Sequence, residues 1–303
     1  MAFRFSILAS GSSGNAALLE ADGFGLLIDA GLGPRQLASR LAAVGASWQR
    51  VNAVILTHTH SDHWKDRTLK HLRHLKIPFY CHAGHHGALR EFGPAFHHLI
   101  SDNLVGCYES NKTLRLGSSL RCEPIEVSHD SDPTFAFRIE GHDGLFGPSW
   151  AVGYAADLGC WSAELAERLA NVDVLALEFN HDETMERTSR RPAELVERVL
   201  GDAGHLSNSQ AADFLRAILE CSEPRVTRHL IQLHLSRECN RPNLAQAAAR
   251  PITNGALTIH TAAQDRVGPV LTLDVSTRPR SVRITTRRAA EPSTVQQCLP
   301  GMS

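Results

Sequence analysis

The sequence predicts a layered α/β protein. Short apolar segments separated by turn residues fill the first half of its 303 residues, and apolar strands alternate with helical segments in the second half. One buried strand leads directly into a dense group of histidines, which indicates that it delivers a functional loop. A chain of this length can bury one sizeable core. We therefore expect a single domain over residues 1–276, followed by an edge strand and a flexible tail over residues 277–303.

The first strands are expected at FRFSIL, AALLE and GLLIDA, because SGSSGN and ADGF between them supply Gly, Ser and Asn for tight turns. The pattern over residues 34–44 predicts a helix, with Pro34 at its first position and apolar residues on one stripe before Gly45. The following NAVILT is an apolar, β-branched run. It predicts a buried strand that ends at the histidines.

The second half of the chain alternates strands with helices, which favours α/β layers over an all-β sandwich. Strands are expected at residues 119–127, 134–139, 150–156, 173–179 and 229–235. Helices are expected at about 161–170, 192–201, 207–220 and 242–250.

The composition argues against several classes of protein. The 31 Lys and Arg residues balance 32 Asp and Glu residues, for a formal net charge of -1, so any contact with nucleic acid must be local. The seven cysteines form no CxxC pair, which argues against a disulfide framework and favours the reducing cytoplasm. No apolar run approaches the ~20 residues of a membrane helix, and the N-terminal run is too short for a signal peptide. We therefore expect no membrane partner.

The segment HTHSDH, from His58 to His63, carries the strongest chemical signal. In a chain of this length with 17 histidines, the probability that an HxHxDH pattern occurs by chance is roughly 0.003, so the motif is specific. His58 and His60 stand two residues apart at an extended strand end and can hold one metal ion, while Asp62 and His63 turn toward a second position. The loop lacks cysteine and needs partners from elsewhere in the chain, as open catalytic sites do.

Three further residues stand at predicted strand ends, where such partners belong. His129 follows RCEPIEVS, Asp157 follows WAVGYAA, and His234 lies in HLIQLHLS. Each of them alone is an ordinary polar residue at a strand end. Their shared position makes them candidate ligands.

These motifs resemble those of the metallo-β-lactamase superfamily in their order along the chain: IDAG around Asp29, HTHSDH, His129, YAADLG and HLS. Within that superfamily, ASGSSGN, LEFNHD, GDAGHLSN and HLSRECN are similar to the YycJ/WalJ group, and the resemblance spans residues 3–275. It implies the metallo-β-lactamase fold, a four-layered αβ/βα sandwich with metal ions in a cleft at one edge of the two sheets. It also implies a metal-dependent phosphodiesterase or nuclease, since proteins of this group are described as 5′→3′ exonucleases acting on DNA.

The resemblance carries a complete set of metal ligands onto this chain. They are His58, His60 and His129 for a first ion, Asp62, His63 and His234 for a second, and Asp157 as the bridge between the two. Imidazole and carboxylate ligands suit Zn²⁺, and Mn²⁺ or Fe are also compatible. Asp29 would orient a ligand imidazole or serve as a turn carboxylate.

The expected reaction is phosphodiester hydrolysis, in which a hydroxide between two metal ions attacks the phosphorus in line. Asp62, His181 and His205 are the expected catalytic residues, and either histidine could protonate the leaving oxygen. We expect His181 to reach the rim of the cleft. His205 precedes a helix whose N-cap is Ser207 or Asn208, and the start of that helix is expected to bind phosphate.

Two other features bear on a nucleic acid substrate, for which DNA is favoured. The SGSSGN loop at residues 10–15 could cradle a phosphate or form a tight hairpin. Four arginines could hold the nucleic acid backbone or face solvent: Arg187, Arg190, Arg191 and Arg237.

Two alternative functions stay open on the sequence alone. The same fold and metal ions serve hydrolases of thioesters, lactones and lactams, although the NHD and GHLSN motifs argue against them. The other alternative is a metal-binding regulatory protein without turnover, although a degenerate site would be expected to lack one of its seven ligands. The sequence has no signal for the oligomeric state.

Overall fold

The computed structural model describes residues 2–131, 133–142 and 148–274, and within them the strands form two sheets. The first sheet contains β1 (Ala2–Ala9), β2 (Ala16–Ala21), β3 (Phe24–Ile28), β4 (Ala53–Ile55), β5 (Phe79–His82), β6 (Val105–Tyr108) and β14 (Leu271–Asp274). The second sheet contains β7 (Leu114–Leu116), β8 (Leu120–Val127), β9 (Thr134–His142), β10 (Pro148–Ala155), β11 (Val174–Glu178), β12 (His229–Leu233) and β13 (Thr258–Thr261). The strand orders are β14-β1-β2-β3-β4-β5-β6 and β13-β12-β11-β10-β9-β8-β7.

Helices cover the outer face of each sheet. The first sheet is covered by α1 (Pro34–Ala43), α2 (Asp66–Leu75), α3 (His86–Phe92) and α4 (Pro94–Ser101). The second sheet is covered by α5 (Ala163–Arg168), α8 (Asn208–Glu220) and α9 (Pro242–Thr253). Two short helices, α6 (Glu183–Arg187) and α7 (Ala193–Leu200), stand apart from these apolar layers. Among the described residues, no helix is long and apolar enough to cross a membrane.

An apolar layer between the two sheets forms the centre of the molecule. On β1, Phe5 and Ile7 face this layer while Leu8 faces the helices, since alternate residues of a strand point to opposite faces. Both faces of each sheet are therefore buried, which explains why the strands read as nearly continuous apolar runs. The order helix, sheet, sheet, helix confirms the four-layered αβ/βα sandwich.

Most of the predicted elements agree with the structure. The helix expected over residues 34–44 is α1, and the strand expected at 119–127 is β8. The sequence pattern predicts no element between residues 64 and 118, where the structure has α2 to α4 and β5 to β7. These strands are three or four residues long, which is too short to display a period of two.

The edge strand and tail expected over residues 277–303 lie outside the described residues. Within the described residues, the strand at the edge of the first sheet is β14, which pairs antiparallel with β1. The single domain over residues 1–276 stays a prediction, although the two sheets share one apolar layer.

The strands around the candidate ligands end at the same edges of their sheets. Strands β3 to β6 are parallel to one another, and so are β10 to β13. Strand β8 runs in the direction of β10 because both are antiparallel to β9. Ligands of α/β proteins bind outside the carboxyl ends of parallel strands, so this is where a site belongs.

The central apolar layer gives a first prediction. Phe137 is fully buried between the sheets, with its ring centroid 5.7 Å from that of Tyr108, so Phe137→Ala should lower the free energy of unfolding by about 3–5 kcal/mol. Phe92 is 66% exposed, so Phe92→Ala should change the same quantity by less than about 0.5 kcal/mol. Urea unfolding followed by circular dichroism measures both. Equal effects of the two substitutions would contradict the placement of Phe137 in the core.

Candidate metal centre

Loops at the carboxyl ends of the strands bring the candidate ligands together. The HTHSDH loop follows β4, while His129, Asp157 and His234 follow β8, β10 and β12. The structure groups the seven predicted ligands in three overlapping sets, in which the ligand atoms lie within 4.8 Å of one another: His58, His60 and His129; Asp62, His63 and His234; and His58, His63 and Asp157. None of the seven lies away from the site.

Three residues of the site adopt a left-handed backbone conformation within two positions of a strand end. Asp29 has φ of 60°, Asp157 has φ of 57° and His234 has φ of 54°. This conformation ends a strand abruptly and costs roughly 1–3 kcal/mol for a residue other than glycine. Hydrogen bonds hold it, since Asp29 N donates to Ile55 O at 2.8 Å and His234 N donates to Ser10 Oγ at 2.8 Å. Three of the ten described non-glycine residues with positive φ therefore lie at this edge of the sheets.

The first set of ligands presents unprotonated imidazoles. His129 Nδ1 donates to Gly204 O at 2.9 Å, which leaves Nε2 free to face His60 Nδ1 at 3.3 Å. His58 Nε2 is buried and has no hydrogen-bond partner among the described residues. Burial and the neighbouring imidazoles lower the pKa of His58 well below its ordinary value, and burial also lowers the pKa of His60 and His129. Neutral imidazole with an available lone pair is the form that binds metal ions.

Asp157 lies between the two halves of the site. Its Oδ2 is 3.0 Å from His63 Nε2 and its Oδ1 is 3.2 Å from His234 Nδ1. Burial raises the pKa of this carboxyl, but the imidazoles of His234 and His63 outweigh burial and bring the pKa well below its ordinary value. Burial lowers the pKa of His234, but the carboxylates of Asp157, Asp62 and Glu178 outweigh burial and raise the pKa to about 10. The carboxylates thus favour positive charge at this position, as protons or as a metal cation.

The partners of His63 hold its ring in one orientation. His63 Nδ1 donates to Asp29 Oδ2 at 2.8 Å, and Asp29 Oδ1 accepts the Thr57 backbone amide at 2.8 Å. On the other side, Asn15 Nδ2 lies 3.1 Å from Asp62 Oδ2 and 2.9 Å from His63 Nε2. Asp29 therefore orients a candidate ligand imidazole, and its fully buried position excludes a merely solvent-exposed turn.

The SGSSGN loop is a hairpin built around the Asn15 side chain. Gly11 N donates to Asn15 Oδ1 at 2.8 Å, and Gly14 N donates to Gly11 O at 2.9 Å. The backbone amide of Asn15 donates to the backbone carbonyl oxygen of Asp62 at 2.7 Å. These three backbone N–H groups already donate to oxygens of the protein, so the hairpin interpretation is favoured over the phosphate cradle.

The expected position of His181 at the cleft rim is wrong. Its side chain is fully buried, and neither ring nitrogen has a hydrogen-bond partner among the described residues. The backbone of His181 forms a parallel bridge with Ser207, next to the start of α8. Asn180 takes the position at the cleft instead, where its Nδ2 lies 3.0 Å from His234 Nδ1.

The start of α8, which the sequence offers as a phosphate site, is already occupied by an acidic side chain. Ser207 is the N-cap, and its hydroxyl accepts the Gln210 amide at 3.2 Å while Gln210 Oε1 accepts the Ser207 amide at 2.9 Å. The carboxylate of Glu183 then accepts from the Ser207 and Ser209 hydroxyls, each at 3.0 Å. An acidic side chain already lies at this helix N-terminus and would repel a phosphate.

A cleft of about 830 Å³ opens over the site and is lined by His60, Asp62, Asp157, His205 and His234. The segment that contains α6 and α7 forms one wall, and Arg190, Arg191 and Arg198 line it. Arg187 and Arg237, which were also expected to hold nucleic acid, are exposed but do not line this cleft. The wall therefore places guanidinium groups beside the candidate ligands.

Residues 25–228 match the family described as the β-lactamase superfamily domain. The chain belongs to the metallo-β-lactamase superfamily. The exodeoxyribonuclease WalJ of Streptococcus pneumoniae is 31% identical over 243 residues, which are 80% of this chain and 85% of that protein. The exodeoxyribonuclease YycJ of Bacillus anthracis is 26% identical over 257 residues, or 83% of this chain and 89% of that protein.

Solved structures agree on the metallo-β-lactamase fold. YhfI from Bacillus subtilis has a TM-score of 0.64 at 18% identity and covers 90% of this chain and 100% of its own. The short form of human tRNase Z has a TM-score of 0.56 at 15% identity, with 87% and 98% covered. At this identity, the structures inform the fold alone.

Two acidic residues of this metallo-β-lactamase site were not predicted from the sequence. Glu178, the last residue of β11, lies 2.8 Å from His205 Nδ1 through its Oε1, and with Asp157, His205 and His234 it forms a fourth set that could hold a metal ion. Burial raises the pKa of Glu178, but His205 lowers it more, to about 2. The rule that placed the other candidates at strand ends would also have found this residue.

Asp130 is the second missed acid. Its Oδ1 lies 3.2 Å from His129 Nε2 and 3.4 Å from His60 Nε2, and its Oδ2 pairs with Arg198 Nε. Only its position directly after His129 marks it in the sequence, and that is a weak signal. Asp130 connects the first set of ligands to the arginine wall.

The contact between Asp29 and His63 gives a second prediction. Asp29→Asn keeps the size of the side chain and an oxygen for the Thr57 amide, but removes the charge that orients His63, so affinity for Zn²⁺ or Mn²⁺ should fall about 10- to 100-fold. Competition with a chromophoric chelator measures this affinity. The control is Asp213→Asn, because Asp213 is exposed and pairs with Arg216 on α8. Unchanged metal affinity in Asp29→Asn would refute the orienting role.

Proposed function

We propose that the chain is a dinuclear metal-dependent phosphodiesterase that digests DNA from an end. The observation that carries this proposal is the meeting of two His/Asp sets at Asp157, on the floor of a cleft with an arginine wall. The names of its relatives WalJ and YycJ, which are exodeoxyribonucleases, support DNA as the substrate. The 5′→3′ direction that we propose rests on the resemblance to that group alone.

The residues present fit two metal ions. The buried, unpartnered Nε2 of His58 is a donor atom aimed into the first set, and the unprotonated imidazoles around it suit a divalent cation. His58, His60 and His129 would hold the first ion, and Asp62, His63 and His234 the second, with Asp157 shared between them. The mixture of imidazole and carboxylate donors suits Zn²⁺, with Mn²⁺ or Fe as alternatives.

When bound, two such ions activate a water molecule near neutral pH and polarise the phosphoryl oxygens. The chain's own side chains prepare the remaining steps. Asp62 lines the cleft and is held by Asn15, so it is placed to orient the attacking water as well as to bind the second ion. The buried carboxylate of Asp157 offsets the positive charge of both ions.

His205 is placed to protonate the leaving oxygen. Its Nδ1 donates to Glu178 at 2.8 Å, which leaves Nε2 for the cleft that the ring lines. Burial lowers the pKa of His205, but the Glu178 carboxylate outweighs burial and raises the pKa above its ordinary value. His205 would therefore enter the reaction with a proton to donate. His181 has no comparable access, since its ring is buried.

We also propose that the protein works in the cytoplasm. Five of the described cysteines are free thiols: Cys81, Cys107, Cys122, Cys221 and Cys239. Burial raises the pKa of Cys81 and of Cys122, which disfavours the reactive thiolate at both positions. Such thiols suit a reducing compartment.

A third prediction tests the proposed function directly. Protein stripped of metal and reloaded with Mn²⁺ or Zn²⁺ should convert end-labelled single- or double-stranded DNA into mononucleotides, with RNA as the comparison. Chelation with EDTA should abolish the activity, and reloading should restore it. Hydrolysis of a thioester with inert nucleic acids would favour the small-substrate alternative. Full metal content without any turnover would favour a regulatory protein.

The matched inactive variant is Asp157→Ala, which removes the carboxylate between the two sets. Without it, two cations would repel across the site, so metal content should fall from two ions per chain toward none and DNA digestion should stop. Elemental analysis of the purified protein measures the metal content. One ion per chain with activity retained would contradict a bridging role for Asp157.

A fourth prediction concerns His205. His205→Ala should keep both ions and lower turnover of unactivated phosphodiesters by about 10²-fold, the scale of general acid catalysis. A substrate with a nitrophenolate leaving group should be affected much less, because that group hardly needs a proton. Equal losses on both substrates would reject the acid role. Loss of metal would instead make His205 a ligand, as its set with Asp157, Glu178 and His234 allows.

A further inference from the structure

The three arginines of the cleft wall differ in what they already bind. Arg191 is hydrogen-bonded within the protein. Its Nε donates to Glu238 at 2.8 Å, its Nη1 to the buried Glu186 at 3.1 Å and its Nη2 to Ser236 at 3.2 Å. Each edge of this guanidinium is occupied. Arg191 therefore fixes the wall to the segment after His234, because each nitrogen of its guanidinium already has a protein partner.

Arg198 is anchored but keeps free donors. Its Nε pairs with Asp130, while its Nη1 and Nη2 groups have no hydrogen-bond partner among the described residues. The side chain is 52% exposed and lines the cleft. Because Asp130 also lies 3.2 Å from His129 Nε2, the anchored guanidinium is held beside the first set of candidate ligands. Two parallel N–H groups on a fixed arginine suit a phosphate.

Arg190 is the unpaired arginine of the wall. It lines the cleft and is exposed, and in the described ranges it forms neither an ion pair nor a hydrogen bond. Arg191, which follows it in the chain, donates to Ser236, two residues beyond His234. The wall therefore presents one arginine that is anchored beside the first set of candidate ligands and a second that is unpaired in the same cleft.

From this arrangement we propose that Arg198 binds the phosphate that is cleaved and that Arg190 binds the next phosphate along the same strand. The inference rests on the proposed function and deepens it, because it names a substrate with at least two successive phosphates. A strand of nucleic acid presents such phosphates at regular spacing, whereas a thioester or lactone has none. A diester with one phosphate engages Arg198 but not Arg190.

The test compares three substrates of the metal-loaded protein. The first is an end-labelled, single-stranded oligonucleotide, and the second is the same strand with a neutral methylphosphonate at the linkage next to the terminal one. The third is bis(4-nitrophenyl) phosphate, which has a single phosphate. A charge-assisted hydrogen bond contributes about 1.5–3 kcal/mol, or roughly 10- to 100-fold in kcat/KM. The neutral linkage should therefore slow the wild type about 10-fold or more.

Each arginine has its own expected pattern. Arg190→Ala should lose about 10-fold or more in kcat/KM on the oligonucleotide, lose nothing on bis(4-nitrophenyl) phosphate, and show no added loss with the neutral linkage. Arg198→Ala should lose activity on all three substrates. The matched control is Arg187→Ala, because Arg187 is an exposed arginine of the same segment that does not line the cleft, and it should match the wild type.

Binding gives a readout that does not depend on turnover. Anisotropy of a labelled phosphorothioate oligonucleotide, measured at several salt concentrations, should show the slope of log affinity against log salt reduced by about 0.7 for each arginine removed. Arg187→Ala should keep the slope of the wild type.

Three outcomes overturn the inference. The first is an unchanged salt slope in Arg190→Ala. The second is additive losses from Arg190→Ala and the neutral linkage, since the two changes should remove the same contact. In both cases digestion of DNA by the wild type would leave the proposed function standing. The third is a wild type that neither binds nor digests the oligonucleotide, which would reject the proposed function together with the inference.

Discussion

The buried carboxylate of Asp157 is the interaction on which the rest of the site depends. It contacts His63 on one side and His234 on the other, so it joins a loop of the first sheet to a strand end of the second. A carboxylate in this position is stable only with positive charge beside it. The imidazoles of His63 and His234 provide that charge, since the pKa of each is raised above its ordinary value. The geometry of the sandwich and the chemistry of the site are therefore coupled at one residue.

The sandwich makes this coupling possible because its central layer is rigid and apolar. Strands from the two sheets end at the same edge, and left-handed residues at Asp29, Asp157 and His234 end them within one or two positions of the last paired residue. Such residues persist only where the surroundings overdetermine them. Here the buried strands and the hydrogen bonds of Ser10 and Thr57 do so, and the strained backbone places the polar side chains at the base of the cleft.

The wall of the cleft is held by different interactions from those of the core. Helices α6 and α7 stand outside the apolar layers, so few packing constraints act on their side chains. What holds this segment is polar: Arg191 binds Glu186 and Glu238, and Arg198 binds Asp130. Selectivity for a substrate belongs in such a segment, since its side chains can change without disturbing the core. The edge with the candidate ligands and the wall are thus held in place by different kinds of contact.

The layered fold and the seven candidate ligands could be predicted from the sequence, because both depend on local patterns. Apolar runs of four to eight residues define strands, and the polar residues that directly follow them must meet wherever parallel strands end together. Other features were decided by the tertiary structure alone. His181 follows a strand, as His129 and His234 do, yet its ring is fully buried and its backbone pairs with Ser207. The carboxylate that accepts hydrogen bonds at the start of α8 comes from Glu183, which lies 24 residues earlier than Ser207 in the chain. Which arginine is free and which is committed depends on partners distant in sequence, such as Asp130 for Arg198, 68 residues away. A pattern along the chain records the neighbours of a residue in sequence, whereas burial and pairing are set by neighbours in space.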